Sequence, residues 1–598
     1  MRKTIKKIGM ILCLIILLPY FSLGTSSFAV KMDLPDDLTN WARVEDVAED
    51  KVWKVEFNYD IDLNTLNSDH IFVLDKDMEI HPTELVLDKG KKDVFVKASK
   101  NYRNGETYSL YVVDGIKSIR GKALKKGIKM NFTIKSDIYI DKPWLKDQPA
   151  PKRVLYVSPE GRGDGSSLTS PSTLEEAISL TEAGDMVWLL EGAYTGSFLI
   201  KNNGTEESPI VYRNYQGQHV KILGQLMVEG DHNWIWGLEL TDDEEDEYEA
   251  VAIGQGQGVM FINNVIHSSG YAGGLYSWDK MDQIVYGNII YDGHHNVYTQ
   301  NSGQVSPRWF VDNISMDAKR DENGKNGPFE FHAYAEGGEL SGFRLYRNIF
   351  ANTGHEVGRA LIGGRNNTAN TDIILDSNYF YNIDLEMGYA RPLQAHITNN
   401  TIVNGSLIYE WIWGRGERKF KNPEPTIVKN NSIYINKQEP LVRLRTSAYL
   451  ADRVEGKTQL REEDVWDYNT YSPAFKGTMH ADNIEIYTTS LITWQQKTQE
   501  AGNMFDANSK VVDYPTKAQA YLLPNDYERG RAHVLVYGFG QEGEIELDIS
   551  SLAKIGQSYE LRSVKDAFGD SIVSGTYVGW NISVPINGDL SVYLLLVR

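Results

Sequence analysis

The sequence predicts an all-β chain in which a right-handed parallel β-helix is flanked on both sides by β-sandwiches. Three observations predict it. A motif of one apolar residue, two variable positions, Asn and then apolar residues recurs seven times between Phe261 and Ile433. Short runs of period-two alternation lie before and after that repeat. One capped amphipathic helix stands just ahead of it. A length of 598 residues is several times a ~150-residue domain, which fits a few domains or one long array.

The elements follow in order. Arg2, Lys3, Lys6 and Lys7, the apolar run Ile8 to Leu18 and the small-residue site Ser27-Phe28-Ala29 read as a signal peptide, residues 1–29. The lone cysteine, Cys13, falls inside it, and Leu12 before it argues against a lipobox, so the exported chain is expected to have neither disulfides nor thiol chemistry. No later apolar run reaches the ~18 residues of a membrane span. Residues 33–137 alternate, as in Val52-Trp53-Lys54-Val55-Glu56-Phe57 and Tyr108-Ser109-Leu110-Tyr111-Val112-Val113, with turns such as Asn104-Gly105 between runs. They predict a β-sandwich, ended by a linker from Pro143 to Pro151.

The solenoid is expected over 152–502. Its first strand is Leu155-Tyr156-Val157, followed by a helix from Thr173 to about Ala183 with Ser172 and Glu175 as a capping box and Leu174, Ala177, Ile178 and Thr181 as its stripe. Such a helix would plug an open solenoid end. The repeating asparagines are Asn264, Asn288, Asn313, Asn348, Asn378, Asn400 and Asn431, spaced 24, 25, 35, 30, 22 and 31 residues apart. Each spacing is one coil with insertions. Asn suits such a corner because it tolerates left-handed backbone and its amide can stack on the next coil's Asn. Residues 503–598 read as the terminal β-sandwich.

A regular stack sets equivalent residues of neighbouring coils ~4.8 Å apart. Aligning the strands between ladder asparagines therefore yields a surface, with faces assigned by alternation. Phe329, Phe331 and Ala333 are expected inside, so Glu330, His332, Tyr334 and Glu336 face out. Val297 and Thr299 inside leave Tyr298 and Gln300 outside; Gly388 and Ala390 leave Tyr389 and Arg391; Val442 and Leu444 leave Arg443 and Arg445. The strands Arg359 to Arg365 and Tyr409 to Trp413 fit either phase. The outward column is then Tyr276, Trp278, Tyr298, Gln300, His332, Tyr334, Tyr389, Arg391, Arg443 and Arg445, with His295 and Arg365 at strand ends.

Charge frames what this column could bind. Lys plus Arg total 61 against 81 Asp plus Glu, a net −20, which excludes a generally basic surface and argues against nucleic acid. Locally, however, the column is aromatic and cationic. Tyr and Trp offer faces for sugar rings and Arg offers bidentate contacts to carboxylates. The acidic run Asp242 to Glu247 lacks calcium-loop spacing and reads as a solvated loop.

Two resemblances sharpen this. The order Trp-x-Val-x-Phe, Ile71-Phe72-Val73, Tyr108-x-Leu-x-Val, Gly121-Lys122-Ala123-Leu124 and Phe132-Thr133-Ile134 resembles the bacterial Ig-like domains of Gram-positive surface and secreted enzymes, which implies a spacing module or one making cell-wall or polysaccharide contact. The strand, helix, Gly184-Asp185, strand, Gly192-Ala193-Tyr194 order, with Gly293-His294-His295-Asn296-Val297-Tyr298-Thr299-Gln300-Asn301 and Ile362-Gly363-Gly364-Arg365, resembles secreted right-handed parallel β-helix proteins of the polysaccharide lyase type. That resemblance implies the fold, which several polysaccharide lyases share; with the cationic, aromatic column it leads to the expectation of a secreted enzyme cleaving an acidic, uronate-containing polysaccharide by β-elimination. His332 or His295 would be the base, Tyr334 or Tyr298 the acid, and Gln300, Asn301 and Arg365 would neutralise the carboxylate. Tyr276, Trp278, Glu336, Tyr389, Arg391, Trp411, Arg443 and Arg445 would bind substrate. No cofactor is called for, and Ca²⁺ is the alternative neutraliser in such lyases. A glycoside hydrolase is the rival, with Glu330, Glu336 and Glu410 as candidate carboxylates; a C5 epimerase and a non-catalytic binding or adhesion protein are the others.

Overall fold

The computed structural model describes residues 38–134 apart from 42–43, 48–50, 76–77, 89–90 and 104–106. It also describes 141–598 apart from 243–249, 269, 271, 279, 281, 301–306, 322, 325–326, 335–339, 355, 364–369, 389–392, 412–424, 437–438, 447–459, 461 and 482–483. The signal-peptide segment and most of the acidic run after Asp242 lie outside the described residues. The chain forms two compact units, divided after Asp141.

In the first unit the alternating runs become strands of two packed sheets. Val52–Glu56, Asp93–Ala98 and Thr83–Leu87 form one; Gly127–Ile134, Thr107–Val112 and Ile71–Leu74 are the centre of the other. Their inward residues, among them Trp53, Val55, Val94, Val96, Leu110 and Phe132, share one core, as a half-buried sheet pattern requires.

In the second unit three twelve-stranded sheets run the length of a parallel β-helix. The first begins with Arg153–Val157, the second with Gly192–Thr195 and the third with Phe198–Ile200. Pairing is parallel throughout except at the end, where Gly477–Ala481 meets Ile484–Thr488 antiparallel. The last pairing of the second sheet joins Thr470 and Tyr471 to Lys510 and Val511. Apolar side chains from Leu155 to Phe505 fill the interior as one cluster.

The asparagine ladder holds the coils in register. Asn288, typical of the set, donates its Nδ2 to Asn313 Oδ1 at 3.0 Å and to the Phe261 carbonyl at 2.8 Å, while its Oδ1 accepts the backbone N–H and Nδ2 of Asn264. The ladder runs through all seven predicted residues and on to an eighth, Asn469, which accepts from Asn431 Nδ2 at 3.1 Å. The backbone reason differs from the expected one. The left-handed residue is the one before each ladder position: Asn263, Gly287, Asp312, Arg347, Ser377, Asn399, Asn430 and Tyr468 all have φ between 53° and 67°. The ladder asparagine is selected for its side-chain hydrogen bonds, not for its φ.

Both solenoid ends are closed. Helix α1, Leu174–Leu180, buries Leu174, Ala177 and Ile178 against the first coils, and its cap is Thr173, whose hydroxyl accepts the Glu176 N–H at 3.2 Å. Ser172, expected as the cap, is instead buried beside Val157 in a parallel bridge. At the other end helix α2, Leu491–Glu500, inserts Trp494. Asp506 binds the Trp494 indole N–H at 2.9 Å, the Tyr471 hydroxyl at 2.9 Å and Asn469 Nδ2 at 3.2 Å, terminating the ladder.

The segment expected as a linker is anchored: Trp144 is fully buried, donates to Asp526 at 3.0 Å and packs on Tyr346. The C-terminal sandwich pairs Gln519–Pro524, Arg531–Tyr537, Leu590–Val597, Ser558–Ser563 and Val573–Thr576 in one sheet and Gly543–Leu547 with Ile582–Ile586 in a second. Its Leu535, Tyr537 and Val592 share a cluster with Ile289, Ile314 and Ile349 of the second sheet's outer face. Among the described residues, no outward residue of the third sheet belongs to that cluster.

Candidate active site

Connection lengths single out one edge of the solenoid. Links from the first sheet to the second are two residues in most coils, such as 263–264, 287–288 and 312–313. Links leaving the third sheet are far longer: 301–307, 335–340, 363–369, 412–426 and 447–464. Long insertions on a rigid scaffold are where sites are built. The third sheet, from whose strands they leave, carries the predicted column.

Register places Tyr276 opposite Tyr298, Tyr298 opposite His332, His332 opposite Leu361, Leu361 opposite Glu386, Glu386 opposite Ile408 and Ile408 opposite Arg443. Gln300 lies opposite Tyr334 in the next row. Tyr276, Trp278 and Tyr298 form an aromatic cluster separate from the core, with ring centroids 5.3 to 6.5 Å apart. The Tyr298 hydroxyl donates to Gln300 Oε1 at 3.2 Å.

At the centre, His295 Nε2 and His332 Nδ1 share a hydrogen bond of 3.1 Å. Phe329 stacks on both imidazoles, at 4.6 Å and 6° from His295 and 4.9 Å and 16° from His332. Tyr298 meets His332 edge-on at 5.3 Å, and Tyr334 does so at 5.9 Å. Burial drives the His332 pKa down to about 3, with the Arg359 charge pushing the same way and Glu386 opposing it. Burial likewise holds His295 well below its usual value, reinforced by His332 and His294. Both rings are therefore neutral at neutral pH, and a neutral imidazole accepts a proton.

The inward and outward assignment fails in the strand Phe329–Tyr334. The ladder between Phe329–Tyr334 and Gly358–Ile362 shifts register between Phe329 and Phe331, a bulge that adds one residue to the strand. Phe329 consequently turns outward onto the histidines and Glu330 turns inward. Glu330 is fully buried. Its Oε2 accepts from Asn296 Nδ2 at 2.7 Å and Ser315 Oγ at 3.3 Å, and its Oε1 from the Ala318 N–H at 3.0 Å. Burial lifts its pKa to about 8 against those hydrogen bonds. It cannot flank a sugar bond as the hydrolase alternative asked; it fixes Asn296, the neighbour of His295.

The two ambiguous strands resolve. Ala360 and Ile362 face the core, so Arg359 and Leu361 face out. Leu407 and Tyr409 face the core, so Ile408 faces out. The strand expected at Met387 to Arg391 is Ile383–Met387, and its outward residues are Asp384 and Glu386. Arg359, absent from the predicted set, ion-pairs with Glu386 and lies 5.0 Å over the Phe329 ring. Burial raises the Asp384 pKa, although it accepts the Ser406 N–H at 2.9 Å. Arg308, also missed, is buried and ties the strand ends together, donating to Thr299 Oγ1 at 2.6 Å and to the Ser277 and Gln300 carbonyls. Nothing in its local pattern, Arg-Trp-Phe-Val, marks it as a support.

Arg443 faces outward and pairs with Glu439 at 2.7 Å. Asn301, Glu336, Arg365, Tyr389 and Arg391 lie outside the described residues, as do the side chains of Glu410, Trp411 and Arg445. Among the described residues no three His, Cys, Asp or Glu side chains converge to hold a metal ion.

Residues 38–134 match the bacterial Ig-like domain family. The protein YwoF of Bacillus subtilis (strain 168) is 32% identical over 114 residues, which are 17% of this chain and 24% of that one, so the chain matches about a quarter of that relative's length. Among solved structures, pectate lyase Pel9A is similar at 12% identity and TM-score 0.29, over 56% of this chain and 78% of that one. The PL6 family polysaccharide lyase Pedsa3628 from Pseudopedobacter saltans is similar at 13% and 0.32, over 60% and 92%. XylC, solved with xylose, is similar at 9% and 0.31, over 72% and 99%. These are likenesses of fold.

Proposed function

We propose that this protein is a secreted polysaccharide lyase that cleaves an acidic, uronate-containing polymer by β-elimination on the outer face of the third sheet. One observation carries the proposal: two neutral, hydrogen-bonded histidines, stacked on Phe329, sit between Tyr298 and Tyr334 with the Arg359 guanidinium beside them. Elimination requires an acceptor for the C5 proton, a counter-charge for the C5 carboxylate and a donor for the leaving oxygen. The site has a group of the right kind for each.

In this reading the uronate carboxylate enters beside Arg359, with Gln300 on the Tyr334 side of His332. Its negative charge opposes the guanidinium field and raises the His332 pKa as substrate binds, so the base strengthens only in the complex. His332 takes the C5 proton, with His295 sharing it across the hydrogen bond. The C5 electron pair forms the C4–C5 double bond, the C4–O bond breaks, and Tyr334 protonates the departing oxygen. Trp278, half-buried over the buried Tyr276, offers a ring face to a neighbouring sugar. The burial of Glu330 removes one carboxylate from the hydrolase alternative.

The test is a screen of acidic polysaccharides, including alginate, pectate, hyaluronan and chondroitin, followed in parallel for unsaturated uronate absorbance and for reducing ends. Lysis yields both signals. Reducing ends without the chromophore mean hydrolysis and contradict the proposal, as does a polymer altered without being shortened.

A further inference from the structure

The Ig-like unit has an open groove of its own, about 750 Å³ in volume. One wall is Val55 to Tyr59 and the other runs from Ile116 to Ser118 and Lys122 to Lys126, with Trp41 also lining it. Two of its rings are left in solvent, Trp41 at 52% and Tyr59 at 51% exposure, although the same unit buries Tyr102, Tyr108 and Tyr111 almost completely. Lys122 Nζ sits 4.4 Å over the Tyr59 ring and donates to its hydroxyl at 3.1 Å. Lys117, Lys125 and Lys126 line the same groove, and Glu56 is the one acidic lining residue among those described.

The charge of this wall is local. Residues 38–134 hold 16 Lys plus Arg against 16 Asp plus Glu, so the −20 of the chain resides elsewhere. Between Asp114 and Asp137 there is no acidic residue, while Lys117, Arg120, Lys122, Lys125, Lys126 and Lys129 follow one another. Exposed rings supply flat faces for the C–H surface of a pyranose, and the lysines flanking them supply point charges for carboxylates. An acidic glycan adds charge pairing with these lysines that a neutral glycan cannot.

We propose that this groove is a second, non-catalytic binding site for an acidic polysaccharide, with sugar rings laid on Trp41 and Tyr59 and carboxylates facing Lys117, Lys122 and Lys125. It tethers the enzyme to carboxylated polymer independently of turnover.

The test is native affinity electrophoresis of the full chain without its signal peptide through gels containing polygalacturonate or alginate, with a neutral β-glucan and a polyphosphate as separate arms. Two variants are compared, Trp41→Ala/Tyr59→Ala and Lys122→Glu/Lys125→Glu; the second leaves the apolar contacts of the sandwich in place. The proposal expects salt-sensitive retardation by the polyuronate, weakened roughly tenfold or more in apparent affinity in both variants, with product formation from short oligosaccharides unchanged. Equal retardation of parent and both variants overturns it, as does retardation by the neutral glucan or by polyphosphate alone. Retention needs no turnover, so a chain that is retained through these residues yet forms no product supports the tether and contradicts the lyase proposal.

Discussion

Replacing Asn348 by Ala tests the ladder where it matters most, in the coil between His332 and Arg359. The side chain is fully buried. Its Nδ2 donates to Asn378 Oδ1 at 2.9 Å and to the Phe310 carbonyl at 2.8 Å; its Oδ1 accepts the N–H and Nδ2 of Asn313, both at 3.0 Å. Four bonds at ~1 kcal/mol each set a scale of about 4 kcal/mol. Two partners keep other contacts: Asn313 Nδ2 still reaches the Val285 carbonyl at 2.8 Å, and Asn378 Oδ1 still accepts the residue-348 N–H at 3.0 Å. The Asn313 N–H loses its ladder acceptor in a buried position. The expected loss is therefore about 3–4 kcal/mol, read by urea unfolding followed through tryptophan fluorescence. Hydrogen exchange should show faster exchange at Asn313, and Asn323→Ala, in an exposed turn, should change neither. A loss below ~1 kcal/mol with unchanged protection at Asn313 would refute the ladder as the element that holds the register.

Three further predictions concern the site. Folded His332 protonates near pH 3 against about 6.5 unfolded, so its contribution to stability is complete above pH 6.5 and falls as pH drops toward 3, by at most ~1.4 kcal/mol per pH unit; unfolding free energies of wild type and His332→Phe should diverge in that window. Glu330 shifts the other way, from about 4.5 to about 8, so its contribution is complete below pH 4.5 and is lost as pH rises through 8; Glu330→Gln should flatten that alkaline decline, and an unaltered slope would contradict the buried carboxyl. Arg359→Ala should lower kcat/KM by roughly a hundredfold or more, as loss of one preorganised charge contact does, with the deficit smaller in Arg359→Lys; equal activity in all three proteins would remove Arg359 from the reaction.

The architecture is legible because its determinants are periodic. Seven asparagines at coil-length intervals mark the stack, and the eighth, Asn469, escapes only because an insertion sets it 38 residues beyond Asn431. Alternation also puts Tyr298, His332 and Tyr334 on one face. What it cannot carry is a change of phase. The bulge at Phe329 and Glu330 leaves no mark in residue type, since a Phe and a Glu exchange the sides that polarity alone assigns them. Glu330 reads as solvent-facing until its four buried donors are seen. Arg359 and Glu386 were hidden for a related reason: each lies in a strand whose phase or boundary depends on its neighbours' register, which long insertions at the third-sheet edge obscure.

The most direct test of the central claim is the product formed from a polyuronate by the wild-type chain and by His332→Ala with Tyr334→Phe alongside. The proposal predicts a conjugated C4–C5 double bond appearing in step with new chain ends, and loss of both signals in the His332 variant while the protein remains folded. Chain ends without the double bond, or undiminished elimination in His332→Ala, would contradict it.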